Sequence, residues 1–142
     1  MKRALISLLA AAALITPARP AAAETVIVCA PHSPITALTR NEAEQLYLGR
    51  TRKLAGGIAV TPVDLPAGAA RDHFYRQLTG KNPGQIRAYW SRLVFTGRAL
   101  PPPEAASAAE ALAWLDANPD FIAYLPAQEV ATRNVRVLLR LP

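Results

Sequence analysis

One cysteine and two histidines are all that this 142-residue chain holds of the residue types that most often bind metals or activate nucleophiles. A lone Cys29 cannot form an internal disulfide. It falls in the apolar run Val26-Ile27-Val28-Cys29-Ala30, where an unpaired cysteine is expected to be a buried small hydrophobe. His32 and His73 share no acid–histidine–nucleophile spacing, and there is no H-x-x-x-H or C-x-x-C pair to gather ligands. The carboxylates are scattered along expected helix surfaces as caps and solubilising charge. No catalytic residue, metal site or cofactor is therefore expected, and the chain is expected not to be an enzyme. Only a cluster formed around His32 and Ser33 would reverse that.

Long apolar stretches are scarce too. The single example, Ala4 to Ile15, follows Met1-Lys2-Arg3 and precedes Ala21-Ala22-Ala23. Basic start, apolar stretch and small-residue site in that order predict a secretory signal peptide over residues 1–23, cleaved after Ala23, and a periplasmic protein. The competing reading, a membrane anchor, needs roughly 20 apolar residues. No comparable run follows, so no membrane insertion of the mature chain is expected.

Residues 24–142 carry 13 Lys and Arg against 10 Asp and Glu, so the whole-chain charge of +6 falls to +3. The remaining positive charge is scattered arginine rather than a block with interleaved aromatics, which argues against nucleic acid. The length is that of one domain, able to bury a core without staples.

Residues 25–30 read as a strand buried on both faces. Thr39 with Glu42 forms a capping box for a helix that stops at Gly49. Gly56-Gly57 marks a turn, and 58–65 a second strand, placed at an edge or ended early by Pro62. A helix from about Gly68 to Leu78 stops at Gly80. Asn82 and Pro83 then open a helix whose stripe Ile86, Tyr89, Trp90, Leu93, Val94 is expected to be core. After Pro101-Pro102-Pro103, Ser107 with Glu110 forms a further capping box. Residues 121–126 and 135–141 close the order as strands, the last at an edge. Alternation of this kind predicts an α/β fold with a mostly parallel sheet of about four strands and helices on both faces. In such a sheet ligands bind at the carboxyl ends of strands, which singles out the loops 31–36 and 65–70.

Histidine 73 beside Asp72 reads as part of a solvated helix face. The stretch "PAGAARDHFYRQLTG" (66–80) admits two readings. As an anion cradle, it offers unpaired amides at a helix N-terminus, close approach at Gly68, and a guanidinium fork from Arg71. As a plain strand-to-helix connection, it leaves Arg71 in solvent, and the flanking Asp64 and Asp72 repel anions.

The pieces "LTRNEAEQLYLGR", "AYWSRLVFTGR", "PPP" and "AAEALAWLDANPDFIAYLP", in that order, resemble short periplasmic substrate-binding-like proteins of phosphate ABC transporters. These look like one lobe of the type II periplasmic phosphate-binding protein. The resemblance spans nearly all of residues 24–142. It implies a single periplasmic-binding-protein-like domain with a crevice at the strand ends. The strand-end loops and the anion reading together put the candidate ligand contacts at His32, Ser33, Gly68, Ala69, Ala70 and Arg71.

The full-length family carries an arginine and a Ser-Gly-Thr run where this chain reads Asp64-Leu65-Pro66-Ala67-Gly68-Ala69-Ala70. Two lost hydroxyl donors, at roughly 1.5–3 kcal/mol each, imply weak binding. The implied function is solute binding, with weak affinity for phosphate or another small oxyanion, linked to ABC-type transport. The alternative is a single-lobe interaction or sensory accessory module that has lost phosphate binding. Its exposed crevice, flanked by Leu65 and Pro66, would dock a membrane transporter or sensor protein, or a second copy of itself.

Overall fold

The computed structural model describes residues 24–142. The expected signal peptide and its cleavage site lie outside the described residues. The elements run β1 (Thr25–Cys29), α1 (Arg40–Tyr47), β2 (Thr61–Val63), α2 (Ala69–Thr79), α3 (Pro83–Phe95), α4 (Ala108–Ala117), β3 (Phe121–Pro126), α5 (Ala127–Val130) and β4 (Arg136–Leu141).

Local chemistry sets most of these boundaries. Thr39 accepts from the Glu42 amide while Glu42 reaches back to the Thr39 amide, closing the expected box on α1. Asn82 and Gln85 do the same for α3, with Pro83 in the first turn. On α4 only half of the expected box forms. Ser107 accepts from the Glu110 amide, but Glu110 takes the amide of Ala106 instead of that of Ser107.

Helices α1 and α3 end alike, at Leu48-Gly49-Arg50 and Thr96-Gly97-Arg98. In each, a left-handed glycine (φ 68°) lets its own amide and that of the following arginine fold back onto helix carbonyls. At Gly49 the turn is also tight, since an added Cβ would lie 2.9 Å from Trp90 Cη2.

The four strands form one sheet in the order β2-β3-β1-β4. The expectation of a mostly parallel sheet is corrected: the sheet is mixed. Central β1 runs antiparallel to both neighbours, Val26 opposite Leu125 on β3 and Arg140 on β4. Only β2 and β3 are parallel, Val63 opposite Ala123. Alternation of strands and helices says which segments are strands, but not that β1 is inserted between the last two.

Strand β4 is at an edge, as expected. Strand β2 holds the other edge, where Pro62 costs little, and it is shorter than the 58–65 stretch. The flanking residues make only single bridges, Lys53 to Ala59 and Asp64 to Glu104. The short α5 carries no sequence signal of its own.

Every residue of β1 is buried, Cys29 included. One sheet face carries Ile27 and Tyr124 against an aromatic cluster, with Phe74 of α2 stacked on Tyr124 at 3.7 Å and Tyr47 of α1 edge-on to Phe74 at 4.8 Å. The other face, with Val26, Val28, Ala123 and Leu125, is equally closed. The α3 stripe corrects one expectation: Ile86 and Trp90 are core, Tyr89 and Leu93 are half-buried, and Val94 is exposed.

Candidate functional site

Reversal of β1 separates the two loops singled out by sequence. Because β1 runs against β2 and β3, the loop after β1 lies at the opposite end of the sheet from the loop after β2. His32 and Ser33 are thus not brought together with Gly68, Ala69, Ala70 and Arg71.

At the β1 end, the Ser33 hydroxyl donates to the Pro119 carbonyl at 2.5 Å and accepts from the Ile35 amide at 3.1 Å. Arg136 of β4 donates to the carbonyls of Pro31, Ser33 and Ile35 at 2.6–2.8 Å. This loop is tied down by its own chain, and Ser33 spends its hydroxyl on that tie. His32 is exposed and lines a surface cavity of about 420 Å³ with Asp116 and Arg133.

At the other end, the chain leaves β2 through Asp64, which is 2% exposed. A strap from α3 to α4 holds it: the Asp64 amide donates to the Pro103 carbonyl and the Ala105 amide to the Asp64 carbonyl, at 2.8 and 2.9 Å. The carboxylate is surrounded by donors. Oδ2 accepts from the Tyr75 hydroxyl at 2.8 Å, and Oδ1 accepts from the Leu65 amide at 2.9 Å and from the Tyr124 hydroxyl. The Arg71 guanidinium lies 3.6 Å from Oδ2, 3.8 Å from Glu104 and 5.9 Å from the centre of the Tyr75 ring.

Burial pushes the Asp64 carboxyl above the ordinary carboxylate range, and the tyrosyl hydroxyls and Arg71 pull part of that back. Burial, followed by the charge of Asp64, raises Tyr75 and Tyr124. Arg71 is neither a free fork nor a solvated side chain, because its charge faces the protein's own carboxylate.

Helix α2 starts just beyond this node. Gly68 is its N-cap and makes no side-chain cap bond, and its carbonyl accepts from the Asp72 amide at 3.0 Å. Among the described residues no acceptor engages the amides of Ala69, Ala70 and Arg71. Ala69 and Ala70 line a cavity of about 270 Å³ with Thr25, His73, Tyr124 and Pro126. The Nε2 atom of His73 is buried without a hydrogen-bond partner.

The solvated face expected for His73 is thereby corrected. Positions 69 and 73 are one turn apart, so the helical spacing that puts Ala69 at the junction puts His73 under it. Thr25 and Tyr124 carried no such signal, because pairing across the sheet brings them here. Of the two residues expected to flank an exposed crevice, Leu65 is buried and Pro66 is exposed. Among the described residues no three His, Cys, Asp or Glu side chains group as metal ligands, and no helix is long and apolar enough to cross a membrane.

No protein-family model and no curated protein matches the sequence. Solved structures do match the fold. An ABC-type phosphate transport receptor from Vibrio cholerae superposes with a TM-score of 0.61 at 16% identity, over 82% of this chain and 46% of its own. A putative phosphate ABC transporter substrate-binding protein from Clostridium perfringens, with bound phosphate, gives 0.55 at 13%, over 84% and 56%. A possible phosphate binding protein from Planctomyces limnophilus gives 0.59 at 10%, over 82% and 41%. The chain spans about half the length of these structures, and over that span it has the fold of phosphate ABC transporter substrate-binding proteins.

Proposed function

We propose that this protein is a solute-binding-like protein that holds a small oxyanion of the phosphate class, weakly, at the front of α2. The observation that carries the reading is an uncapped helix N-terminus on this fold, adjoining a cavity lined in part by His73, whose buried Nε2 has no hydrogen-bond partner. Amides at residues 69–71 supply partial positive charge, Gly68 permits close approach, and His73 in its Nε2–H form adds a donor. Arg71 stays at the rim, held by Asp64. His32 and Ser33 take no part, being at the other end of the sheet.

Affinity is low because the Asp64 carboxylate takes the nearest guanidinium and two of the nearest hydroxyls. A millimolar Kd corresponds to about −4 kcal/mol. Delivery to an ABC-type permease in the periplasm is the role proposed for the bound solute, by likeness of fold to the receptors above.

Calorimetry with phosphate, sulfate and molybdate tests the reading. Ligand at ten times its Kd should raise stability by about 1.4 kcal/mol. No heat at millimolar ligand together with an unmoved Tm would overturn it.

A further inference from the structure

Two stretches of this chain, residues 45–63 and 73–103, contain eight Lys and Arg and not one Asp or Glu. The other described residues carry a net charge of −5. The fold brings the two cationic stretches together. Tyr89 of α3 donates to the Leu48 carbonyl at 2.6 Å, Gly49 sits against Trp90 and Ala99, and Arg52 and Leu100 line one cavity of about 200 Å³.

Both helices end here, so Arg50 and Arg98 follow paired glycine turns, with Arg52, Lys53 and Arg92 nearby. All five are exposed, and none pairs with a carboxylate among the described residues. The three large apolar side chains left most exposed among the described residues fall on the same end of α3 and its trailing loop: Phe95 is 92% exposed, Leu100 70% and Val94 46%.

We infer that this face docks the protein on an anionic phospholipid surface, with Phe95 and Leu100 entering the headgroup boundary and the surrounding arginines meeting lipid phosphates. The charge separation orients the molecule toward such a surface before contact. A protruding aromatic with an exposed arginine three residues to either side, Arg92 and Arg98, matches the layering of an interface, apolar below and anionic above. The contact is peripheral, as the chain offers no spanning helix among the described residues. It does not depend on α2 holding an oxyanion.

Co-sedimentation with vesicles tests this. The protein should partition onto equimolar phosphatidylglycerol–phosphatidylcholine vesicles at low ionic strength and not onto phosphatidylcholine alone. It should be released at about 1 M salt, where the Debye length is about 3 Å. The double variant Arg92→Gln/Arg98→Gln should weaken partition about 25-fold, about fivefold for each charge removed. Phe95→Ser should weaken it about tenfold or more. These side chains are exposed, so the variants should melt as the parent does, and Arg133→Gln, away from the face, should partition normally. Absence of binding to the anionic vesicles at low salt, or binding that ignores both variants, overturns the inference. Capture by poly-glutamate through the same residues without vesicle binding would assign the face to an acidic protein partner and equally sink the lipid assignment.

Discussion

Tyr75 of α2 donates its hydroxyl to the buried carboxylate of Asp64 at 2.8 Å, and Tyr124 of β3 donates to the other oxygen of the same group. A helix, a central strand and an edge strand are thereby fastened to one internal anion. Asp64→Ala would leave two buried hydroxyls and the Arg71 guanidinium without their acceptor. The expected loss is about 3–5 kcal/mol, as for a broken buried pair, or a Tm fall on the order of 10–20 °C in a domain of this size. Tyr75→Phe should cost about 1.5–3 kcal/mol, one bond to a charged group. Urea denaturation measures both, and a loss below about 1 kcal/mol for Asp64→Ala would show that the node contributes little.

The same node makes the fold sensitive to base. Tyr47, Tyr75 and Tyr124 are all raised above the ordinary tyrosine value, first by burial and then by the charge of Asp64. Unfolded tyrosines lose their protons near pH 10 while these keep theirs, so the native state binds more protons and stability falls as pH rises from there through the folded values. Three such groups predict a loss of about 4 kcal/mol per pH unit above 10, at 1.36 kcal/mol each. Tyr124→Phe should cut the slope by about a third. Equilibrium unfolding at a series of alkaline pH values reads the slope, and a flat profile above pH 10 contradicts the burial of these phenols. Asp64 works in the other direction from an ordinary ion-paired carboxylate. Because its folded value is raised, its share of stability is greatest when it is protonated and diminishes as pH climbs from about 3.8 through that raised value.

What could be read from sequence was local. The caps at Thr39, Asn82 and Ser107 need only residues three apart, and the helix starts follow. The strand segments were legible because each is short, apolar and bounded by proline or glycine. Direction was not, since β1 lies next to β4, more than 100 residues away, and nothing in either segment marks that pairing. For the same reason the two loops that sequence placed side by side, at Ser33 and Gly68, fall at opposite ends. Asp64 read as a flanking repulsive charge because the tyrosines that satisfy it come from 11 and 60 residues downstream. The cationic face was hidden likewise, as arginines scattered in sequence become neighbours only when the ends of α1 and α3 meet.

That meeting point is open to a paired test. Gly49 and Gly97 have the same φ of 68°, but an added Cβ at Gly49 meets Trp90 at 2.9 Å while one at Gly97 meets nothing within 4 Å. Gly97→Ala should cost about 1–2 kcal/mol for the left-handed backbone alone. Gly49→Ala should cost that plus about 1–3 kcal/mol for displacing the indole. Equal losses in urea denaturation would mean that Trp90 gives way freely.

The amides at the front of α2 decide the functional account, and they can be observed singly. In a proton–nitrogen correlation spectrum of the isotope-labelled protein, titration with inorganic phosphate should move the Ala69, Ala70 and Arg71 amides and the His73 ring together, along one saturating curve, while Ser33 and its loop stay still. Unmoved α2 amides at tens of millimolar phosphate, where a millimolar site at about −4 kcal/mol would be filled, would contradict it. Shifts confined to the His32 end would contradict it as well.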